Sequence, residues 1–558
     1  MISIHPQYLP LSKLLDGRLF RIPEYQRAYS WTKHQRQDLF DDIEKVFQKG
    51  PEAGHFMAAV VCLRRKKQIL GTDEYHVVEV VDGQQRLTTL VILLNAIKLQ
   101  LDIDDKKPDK LLRELSELLV KSEGDELLLL QTNHDASHFY EDYIRKAATK
   151  NPSEATTIAD KEVLSAITEC VQFVYEWIQE GRSLHELAAL LKNRLFFLLH
   201  EIEDEAAVYT VFEVLNSRGL PVSWLDRLKS ILMGSAFELK KVDQDAIIAD
   251  LHKTWRDIYS VIGLRQGFST EALRFAATLK SASAPSRPLS EEDSVELLRS
   301  MATDAKSIRL TAKWILDVVK ACDKVISSKR LNAVTRIAQA RLLAVSIYLR
   351  SDLPDEKLND VLADWEKVSF RIYGMLRKDA RTGVGDYVRL AWRTVNEELS
   401  AADVKAGVRT IGADFPIKSA VEALSGVDCY NGWEQELRYF LYRYEEHLAK
   451  EQKQKFKNEQ WERIWLASPS ESIEHIKPQS KAPESYRHSI GNLVLLPPRL
   501  NSQLNNDPPK QKVEPYRKTG LLIASMAADF IETDGWSRRT VKQREEELLA
   551  WAAREWAN

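Results

Sequence analysis

The stretch SIEHIKPQS at residues 472–480, followed by SIGNLVLLPPRLNSQLNNDPPKQK at 489–512, decides the fold of the carboxy-terminal part of the chain. The apolar residues of IEHI at 473–476 predict one short strand, and GNLVLL at 491–496 predicts a second. A helix is expected to begin near Pro498 and to carry Asn501 on its first turn. The two segments therefore predict a β-hairpin followed by a helix.

The side chains on this predicted hairpin and helix suit a single divalent cation. Glu474 and the amide oxygen of Asn501 are hard ligands, which favour Mg²⁺ or Mn²⁺ over zinc. His475 is the candidate general base, because an ordinary histidine pKa of about 6.5 leaves the ring largely neutral at physiological pH. Asn492 joins this catalytic set, and we expect it to brace the loop between the strands. A Glu-His dipeptide taken alone is more often a chance pair with a core histidine.

The full string IEHIxPxS and IGNLxLLPxxLNSxLxN resembles the nuclease domain of GmrSD-type modification-dependent restriction systems, and it is similar to HNH modules of RNA-guided effectors. The resemblance implies a ββα-metal (HNH) nuclease domain at 441–558 whose partner is DNA, modified phage DNA above all. Lys510 and Lys512 are candidate contacts to DNA phosphates, with Arg517 and Lys518 close behind. Ordinary solvated side chains are an equally good interpretation of each.

A second motif, VVDGQQRLTTL at 80–90, falls where a strand meets a helix. FMAAVVCL at 56–63 and YHVVEVVDG at 75–83 predict paired strands around the polar RRKKQILGTDE, and an amphipathic helix is expected from Gln84 to Leu101. The free N–H groups of a helix start, a glycine and the fork of Arg86 suit a phosphate. Asp82 is a candidate metal ligand or base, and simple helix capping by Asp82 is the alternative.

Two further motifs, RIPEYQRAYSW at 21–31 and VFEVLNSRGLPVSWLDRLKSIL at 211–232, extend the resemblance to the ParB-like amino-terminal domain of GmrSD-type and SspE-type defence proteins. It implies that residues 1–235 form an α/β sensor domain that binds and hydrolyses a nucleoside triphosphate such as GTP or ATP. Besides Asp82 and Arg86, the positions that match are Tyr25, Gln26, Arg27, Gly83, Gln84, Gln85, Asn216, Arg218, Gly219 and Asp226. Turn and capping chemistry is the alternative for these residues.

The sequence contains no GxxxxGK[ST] loop, so any nucleotide site is not of the P-loop type, and we expect nucleotide turnover to act as a switch. Trp31, Tyr25 and Tyr29 are candidates for a pocket that recognises a modified base.

Length, composition and periodicity outline the rest of the chain. The 558 residues suggest several domains, and the net charge of −3 requires that any nucleic acid bind through local basic patches. Residues 236–440 are predicted to be a long helical spacer, with SASAPSRPLSEED as its flexible linker. Four scattered cysteines predict buried thiols, and no apolar run is long enough for a membrane span, so a cytoplasmic location is expected. The predicted fold class is α+β and predominantly α-helical.

These expectations combine into a modification-dependent DNA endonuclease of anti-phage defence, in which nucleotide hydrolysis regulates metal-dependent nicking or cleavage. One metal site cuts one strand, so a double-strand break would need a homodimer or successive nicks. Two alternatives stay open. One is a nucleotide-gated DNA-binding regulator with an inactive HNH scaffold, and the other is a nuclease directed at RNA or tRNA, because a metal clamp reads phosphate geometry more than base identity.

Overall fold

The structure, a computed structural model, describes residues 6–23, 25–70, 73–103, 110–121, 127–132, 138–147, 151–155, 157–204, 207–208, 223–237, 239, 241–263, 265 and 267–557. The chain divides into two compact units. Unit 1 comprises residues 1–273 and 291–319, and unit 2 comprises residues 274–290 and 320–558. The fold is α+β and predominantly helical, as predicted. The middle region predicted at 236–440 divides between the two units.

A mixed sheet forms the centre of unit 1. Its strands are β1 (Gln7–Pro10), β2 (Arg18–Ile22), β3 (His55–Leu70), β4 (Asp73–Asp82), β7 (Leu130–Thr132) and β8 (Leu195–Ile202), and a separate pair contains β5 (Val120–Lys121) and β6 (Leu127–Leu128). The strand order in the sheet is β1-β8-β3-β4-β2-β7. Strand β4 pairs antiparallel with β3 and parallel with β2, so its carboxy-terminal end at Asp82 lies inside the sheet.

The antiparallel strands β3 and β4 confirm the predicted pair, and residues 64–70 and 73–74 of the polar stretch belong to these strands. The ladder runs on to Leu70 and Asp73, and the charged residues pair across it, with Arg65 beside Glu79 at 2.8 Å and Lys67 beside Glu74 at 2.7 Å. Opposite charges on facing strands stabilise such an exposed ladder, which a pattern of apolar residues does not reveal.

The other long elements of unit 1 are helices. They are α1 (Leu11–Leu15), α2 (Lys33–Gln48), α3 (Gln84–Ile103), α4 (Lys110–Leu119), α5 (Phe139–Lys146), α6 (Ile158–Gln179), α7 (Leu184–Arg194), α8 (Trp224–Phe237), α9 (Lys241–Ile262), α10 (Phe268–Lys280), α11 (Glu291–Ser300) and α12 (Ala305–Ser327), of which α10 and α12 each cross a unit boundary. Helix α3 begins at Gln84 as predicted, but it also buries Ile92 and Leu93. It is therefore a central helix of the core and not an amphipathic surface helix.

Unit 2 is a helical assembly with one small hairpin, β9 (Ile473–His475) and β10 (Leu493–Leu495). Its further helices are α13 (Lys329–Val334), α14 (Ala338–Tyr348), α15 (Asp355–Ser369), the π-helix Phe370–Met375, α16 (Val384–Asn396), α17 (Ala401–Ala413), α18 (Ile417–Glu422), α19 (Glu434–Glu451), α20 (Asn458–Leu466), α21 (Pro469–Ser472), α22 (Pro498–Leu504), α23 (Pro509–Lys518), α24 (Leu522–Asp534) and α25 (Arg538–Glu555). Helix α25 is the predicted closing helix.

Two predictions for unit 2 were wrong. The stretch predicted to be a flexible linker is held in place, because Trp392 donates its indole N–H to the Ser281 carbonyl at 2.9 Å and Arg274 donates to that of Leu289 at 2.7 Å. Apart from the helix predicted near Pro498, helical periodicity was expected to be lost between Trp465 and about residue 520, yet α23 follows α22 there. Prolines open both helices, and proline at the first helical position loses no hydrogen bond.

Candidate functional site

The hairpin and the helix after it bring Glu474, His475 and Asn501 to the wall of one cleft of about 820 Å³. Glu474 faces Val494 and His475 faces Leu493 across the two antiparallel strands. Helix α22 starts at Pro498 and carries Asn501 in its first turn. The strand, strand and helix predicted from the sequence are therefore all present in this order.

Glu474 is 5 % exposed and is held by two donors from α23. The ammonium group of Lys512 and, at 3.3 Å, the hydroxyl group of Tyr516 both reach its Oε1 atom, and Lys512 also donates to the His475 carbonyl at 2.9 Å. Burial raises the pKa of the Glu474 carboxyl group, while the Lys512 ammonium acts in the opposite direction. The carboxylate is thus fixed before any ligand arrives.

His475 lies between two polar partners. Its Nε2 atom is 3.0 Å from His488 Nδ1, and its Nδ1 atom is 3.3 Å from the Gln479 side-chain nitrogen. Tyr430 stacks on His488 and meets His475 edge-on. Burial first, and then the neighbouring His488 and Lys512, lower the pKa of His475 to about 3, so the ring is neutral at pH 7. If Nε2 donates to His488, the lone pair on Nδ1 accepts from Gln479, which borders the cleft.

Asn501 and Asn492 have different surroundings. The Asn501 side-chain nitrogen donates to the carbonyls of Glu471 at 2.8 Å and Ile473 at 3.1 Å, which leaves its oxygen as the atom that can bind a cation. Asn492 donates to the carbonyls of Lys477 and Arg487, and its oxygen accepts from the Lys477 N–H and the Trp536 indole, each at 3.0 Å. Asn492 therefore positions the loop between the strands and is not a catalytic residue.

The basic residues after α22 differ from the sequence prediction. Lys512 is 0 % exposed and pairs with Glu474, so the prediction that it contacts a DNA phosphate was wrong. Lys510 and Lys518 are exposed, and Arg517 pairs with Asp529 and Glu532. The partner of Lys512 lies 38 residues away in the chain, so its burial could not be read from a basic local sequence.

Sequence reasoning missed four side chains around His475 and Glu474, namely Tyr430, Gln479, His488 and Tyr516. His488 stands in the loop between the two predicted strands, and a second histidine at that place was the available signal. Tyr430 precedes the predicted domain start at 441.

Among the residues that the structure describes, no three His, Cys, Asp or Glu side chains form a metal site. The carboxylate and amide oxygens fit Mg²⁺, which takes few protein ligands and keeps waters and substrate phosphates.

The DGQQR motif of unit 1 lies at the predicted turn between β4 and α3. Gly83 has a φ of +92°, and a Cβ atom there would be 3.1 Å from the Val60 side chain, so the turn requires glycine. Gln85 accepts from the Ser30 N–H at 2.7 Å and donates to the Ala28 carbonyl at 3.1 Å. Gln84 donates to the carbonyl of Arg27 in the same segment.

A third glutamine, Gln26, donates in return to the Val81 carbonyl at 3.3 Å. The RIPEYQRAYSW and DGQQR motifs are thus held together by hydrogen bonds from buried glutamine side chains to the backbone. This is a structural role for the three glutamines. The cavity that Arg27, Gln84 and Gln85 border is about 30 Å³, room for one water molecule and not for a nucleotide.

Charged groups gather beside this turn. Burial raises the pKa of Asp82, against the effects of the Gly83 N–H and then Arg86 and Arg27. Lys229 on α8 is buried and donates to the Tyr25 carbonyl at 2.8 Å, and burial lowers its pKa to about 8.

Two other predicted residues of unit 1 have described partners. Asp226, in the first turn of α8, accepts from the Tyr259 hydroxyl group. The Arg86 guanidinium group lies 5.7 Å from the centre of the Trp31 ring. Asn216, Arg218 and Gly219 of the predicted site lie outside the described residues. Lys229 was not predicted, although it stands in the quoted motif.

Comparison with protein families defines the class of protein. Residues 11–233 match the model described as GmrSD restriction endonuclease, N-terminal domain, and residues 416–551 match the model described as GmrSD restriction endonucleases, C-terminal domain. The protein is therefore a restriction-type DNA endonuclease. The chain belongs to the GmrSD restriction endonuclease family and carries both of its domains in one polypeptide. A comparison with curated proteins gave no match.

Within the described ranges, no helix combines the length and the apolar character needed to cross a bilayer.

Proposed function

We propose that unit 2 hydrolyses DNA phosphodiester bonds in an HNH-type centre made of Glu474, His475 and Asn501. The observation that carries the proposal is their arrangement: a strand, a strand and a helix present a fixed carboxylate, a neutral imidazole and an oriented amide to one cleft. Hydrolysis of a phosphodiester needs a base and a group that offsets charge on the pentavalent phosphorus.

The residues of the chain have separate tasks in this reaction. Glu474 and the Asn501 oxygen would hold Mg²⁺ or Mn²⁺, which when bound offsets negative charge on the phosphate oxygens. His475 takes a proton from the attacking water, whose oxygen forms the new P–O bond while the bond to the leaving strand breaks. His488 orients the His475 ring through the 3.0 Å contact, and Lys512 and Tyr516 keep Glu474 in place.

A plasmid-nicking assay with Mg²⁺ tests this assignment. His475→Ala should lower the nicking rate by roughly 10²–10⁴-fold, since the general base is lost. His34→Ala is the matched control, because His34 is an exposed histidine of unit 1, and its rate should equal that of the wild type. Equal rates for wild type and His475→Ala would remove the proposed centre. Tight DNA binding with no cleavage by any variant would favour the regulator alternative.

We further propose that unit 1 binds and hydrolyses a nucleoside triphosphate and that this turnover controls the nuclease. The support is the family match together with the charges of Asp82, Asp226 and the buried Lys229 beside Arg27 and Arg86. Phosphate release from GTP and ATP by the full chain is the direct assay. Asp82→Asn should abolish turnover and leave the fold intact, because the neutral amide has nearly the same shape. Unchanged turnover would place the nucleotide elsewhere.

Dependence on modified DNA is the third part of the proposal, and it rests on the resemblance to modification-dependent systems. Nicking should be faster on phage DNA that carries a defined base or backbone modification than on the same sequence without it. Equal rates on both substrates, with and without nucleotide, would show that the modification is not sensed.

A further inference from the structure

A second cleft in unit 2, of about 390 Å³, is separate from the nuclease centre. Residues of α13, of the loop after it, of the π-helix and of α19 and α20 line it. Four cationic side chains border it, Lys329, Arg336, Lys378 and Arg438, against one carboxylate, that of Glu436. We call it the basic cleft. Much of its wall, residues 329–378, lies outside both ranges that match the family models.

The positive charge of the basic cleft is offset only in part: the charge of Arg336 acts on the Glu436 carboxyl group, but within the described structure Lys329, Arg336 and Lys378 form no ion pair within 4 Å. Two other arginines of unit 2 are paired, since Arg330 contacts Glu366 at 2.9 Å and Arg409 contacts Asp364 at 2.6 Å. A concave surface with several unpaired cations attracts anions, most strongly polyanions. The chain as a whole has a net charge of −3, so this local excess runs against the average.

Arg438 supplies an independent sign that an anion belongs here. It is 7 % exposed, and its guanidinium group lies 4.6 Å from the centre of the Trp465 ring. Its two terminal nitrogens donate to the carbonyls of Ile464 and Ala467 and to the Gln435 side chain. The Nε atom is buried without a hydrogen-bond partner in the part of the chain that is described. Burial, and then the like charge of Arg336, lowers the pKa of Arg438 to about 10. A bound anion would offset the like charges of Arg438 and Arg336.

We propose that the basic cleft binds a backbone phosphate of the DNA substrate at a distance from the bond that is cut. The inference rests on the proposed nuclease function and specifies where its substrate lies. Arg438 holds the end of α20, and α21 and β9 follow at once, with the Ser472 hydroxyl donating to the same Ile464 carbonyl at 3.4 Å. The Ile464 carbonyl that Arg438 binds is ten residues before Glu474 in the chain. DNA in the basic cleft would therefore contact a segment that leads directly to Glu474 and His475.

The test uses the full chain with His475→Ala, so that DNA is bound but not cut. The double variant Arg336→Ala with Lys378→Ala removes two exposed cations of the basic cleft. Its matched control is Lys357→Ala with Lys418→Ala, which removes two exposed lysines of unit 2 that do not line it. Fluorescence anisotropy with labelled duplex DNA gives the dissociation constant at several salt concentrations.

The double variant should bind DNA about tenfold more weakly than the control. The slope of log K against log salt should become shallower by about 0.9, the value for one lost phosphate contact. Identical affinity and slope for variant and control would overturn the proposal. A parallel titration with a labelled nucleoside triphosphate identifies the source of the phosphate: loss of nucleotide binding with intact DNA binding would also overturn it.

The two proposals fail in different ways. If the wild-type chain neither binds nor nicks DNA under any condition, the nuclease function itself is wrong. If the wild type nicks DNA and the Arg336→Ala with Lys378→Ala variant nicks it with an unchanged KM, only the basic cleft is wrong.

Discussion

Replacing Lys512 with methionine probes the buried pair that fixes the candidate metal ligand. Lys512 is 0 % exposed and Glu474 is 5 % exposed, and the ammonium group bonds to the carboxylate and to the His475 carbonyl. Methionine fills similar space without charge, so the Glu474 carboxylate would stay buried with only the Tyr516 hydroxyl as a side-chain donor. Removing one partner of such a pair costs about 3–5 kcal/mol, and we expect unit 2 to lose that much stability.

A second substitution, at Glu474, shows whether the loss of stability in Lys512→Met arises from the unpaired Glu474 carboxylate. Glu474→Gln combined with Lys512→Met removes both charges, and the double variant should unfold within about 1–2 kcal/mol of the wild type. Lys510→Met, on the same helix but exposed, is the control and should change stability by less than about 0.5 kcal/mol.

Urea unfolding without metal, followed by tryptophan fluorescence, reports on these variants because most of the 13 tryptophans belong to unit 2. If Lys512→Met costs no more than Lys510→Met, or if the two changes of the double variant simply add, the pair does not hold Glu474 as described.

Three further predictions concern other parts of the molecule. Asn492→Ala removes an amide that makes four hydrogen bonds, and it should destabilise unit 2 by about 2–4 kcal/mol in urea; a change below about 1 kcal/mol would show that the loop does not depend on it. Gly83→Ala forces φ +92° on a residue with a Cβ atom 3.1 Å from Val60, and it should cost unit 1 about 1–3 kcal/mol, against no loss if the turn adapts. Burial raises the pKa of Glu445 to about 7 in the folded state, so its contribution, about 3 kcal/mol, is fully present below about pH 4.5 and is lost as the pH rises through 7. Glu445→Gln should flatten that part of the stability curve, and an unchanged curve would assign the pH dependence to another group.

The β9–β10 hairpin and the helix after it could be predicted because their signals are local. Two short apolar runs, a proline at a helix start and an asparagine three residues later all act within their own segment. The strand-to-helix turn at Gly83 was predictable for the same reason, since the sequence itself shows the end of an apolar strand and the start of an apolar helix.

The remaining features depend on partners that are distant in the chain. SASAPSRP has the composition of a linker, but its Ser281 carbonyl accepts from Trp392, 111 residues later. Lys512 belongs to a polar segment, yet the carboxylate that makes its burial tolerable is on another element. The glutamines of the DGQQR motif were predicted to contact a ligand, but in the structure they form hydrogen bonds with the backbone of Arg27, Ala28 and Ser30. Composition and motif spacing do not reveal which distant residues will form these hydrogen bonds and ion pairs.

Because the β9–β10 hairpin is so short, the proposed catalytic centre cannot be excised as an independent unit. Strands of three residues do not hold together in water by themselves. The hairpin and its loop are held by residues elsewhere in unit 2. The Cys429 N–H donates to the His488 carbonyl at 2.8 Å, and the Arg544 side chain donates to the carbonyls of Ile490, Gly491 and Leu493. A fragment that begins at residue 441 would lack both the Cys429 N–H that binds the His488 carbonyl and the Tyr430 ring. Any fragment designed to keep this site therefore has to begin upstream of Cys429.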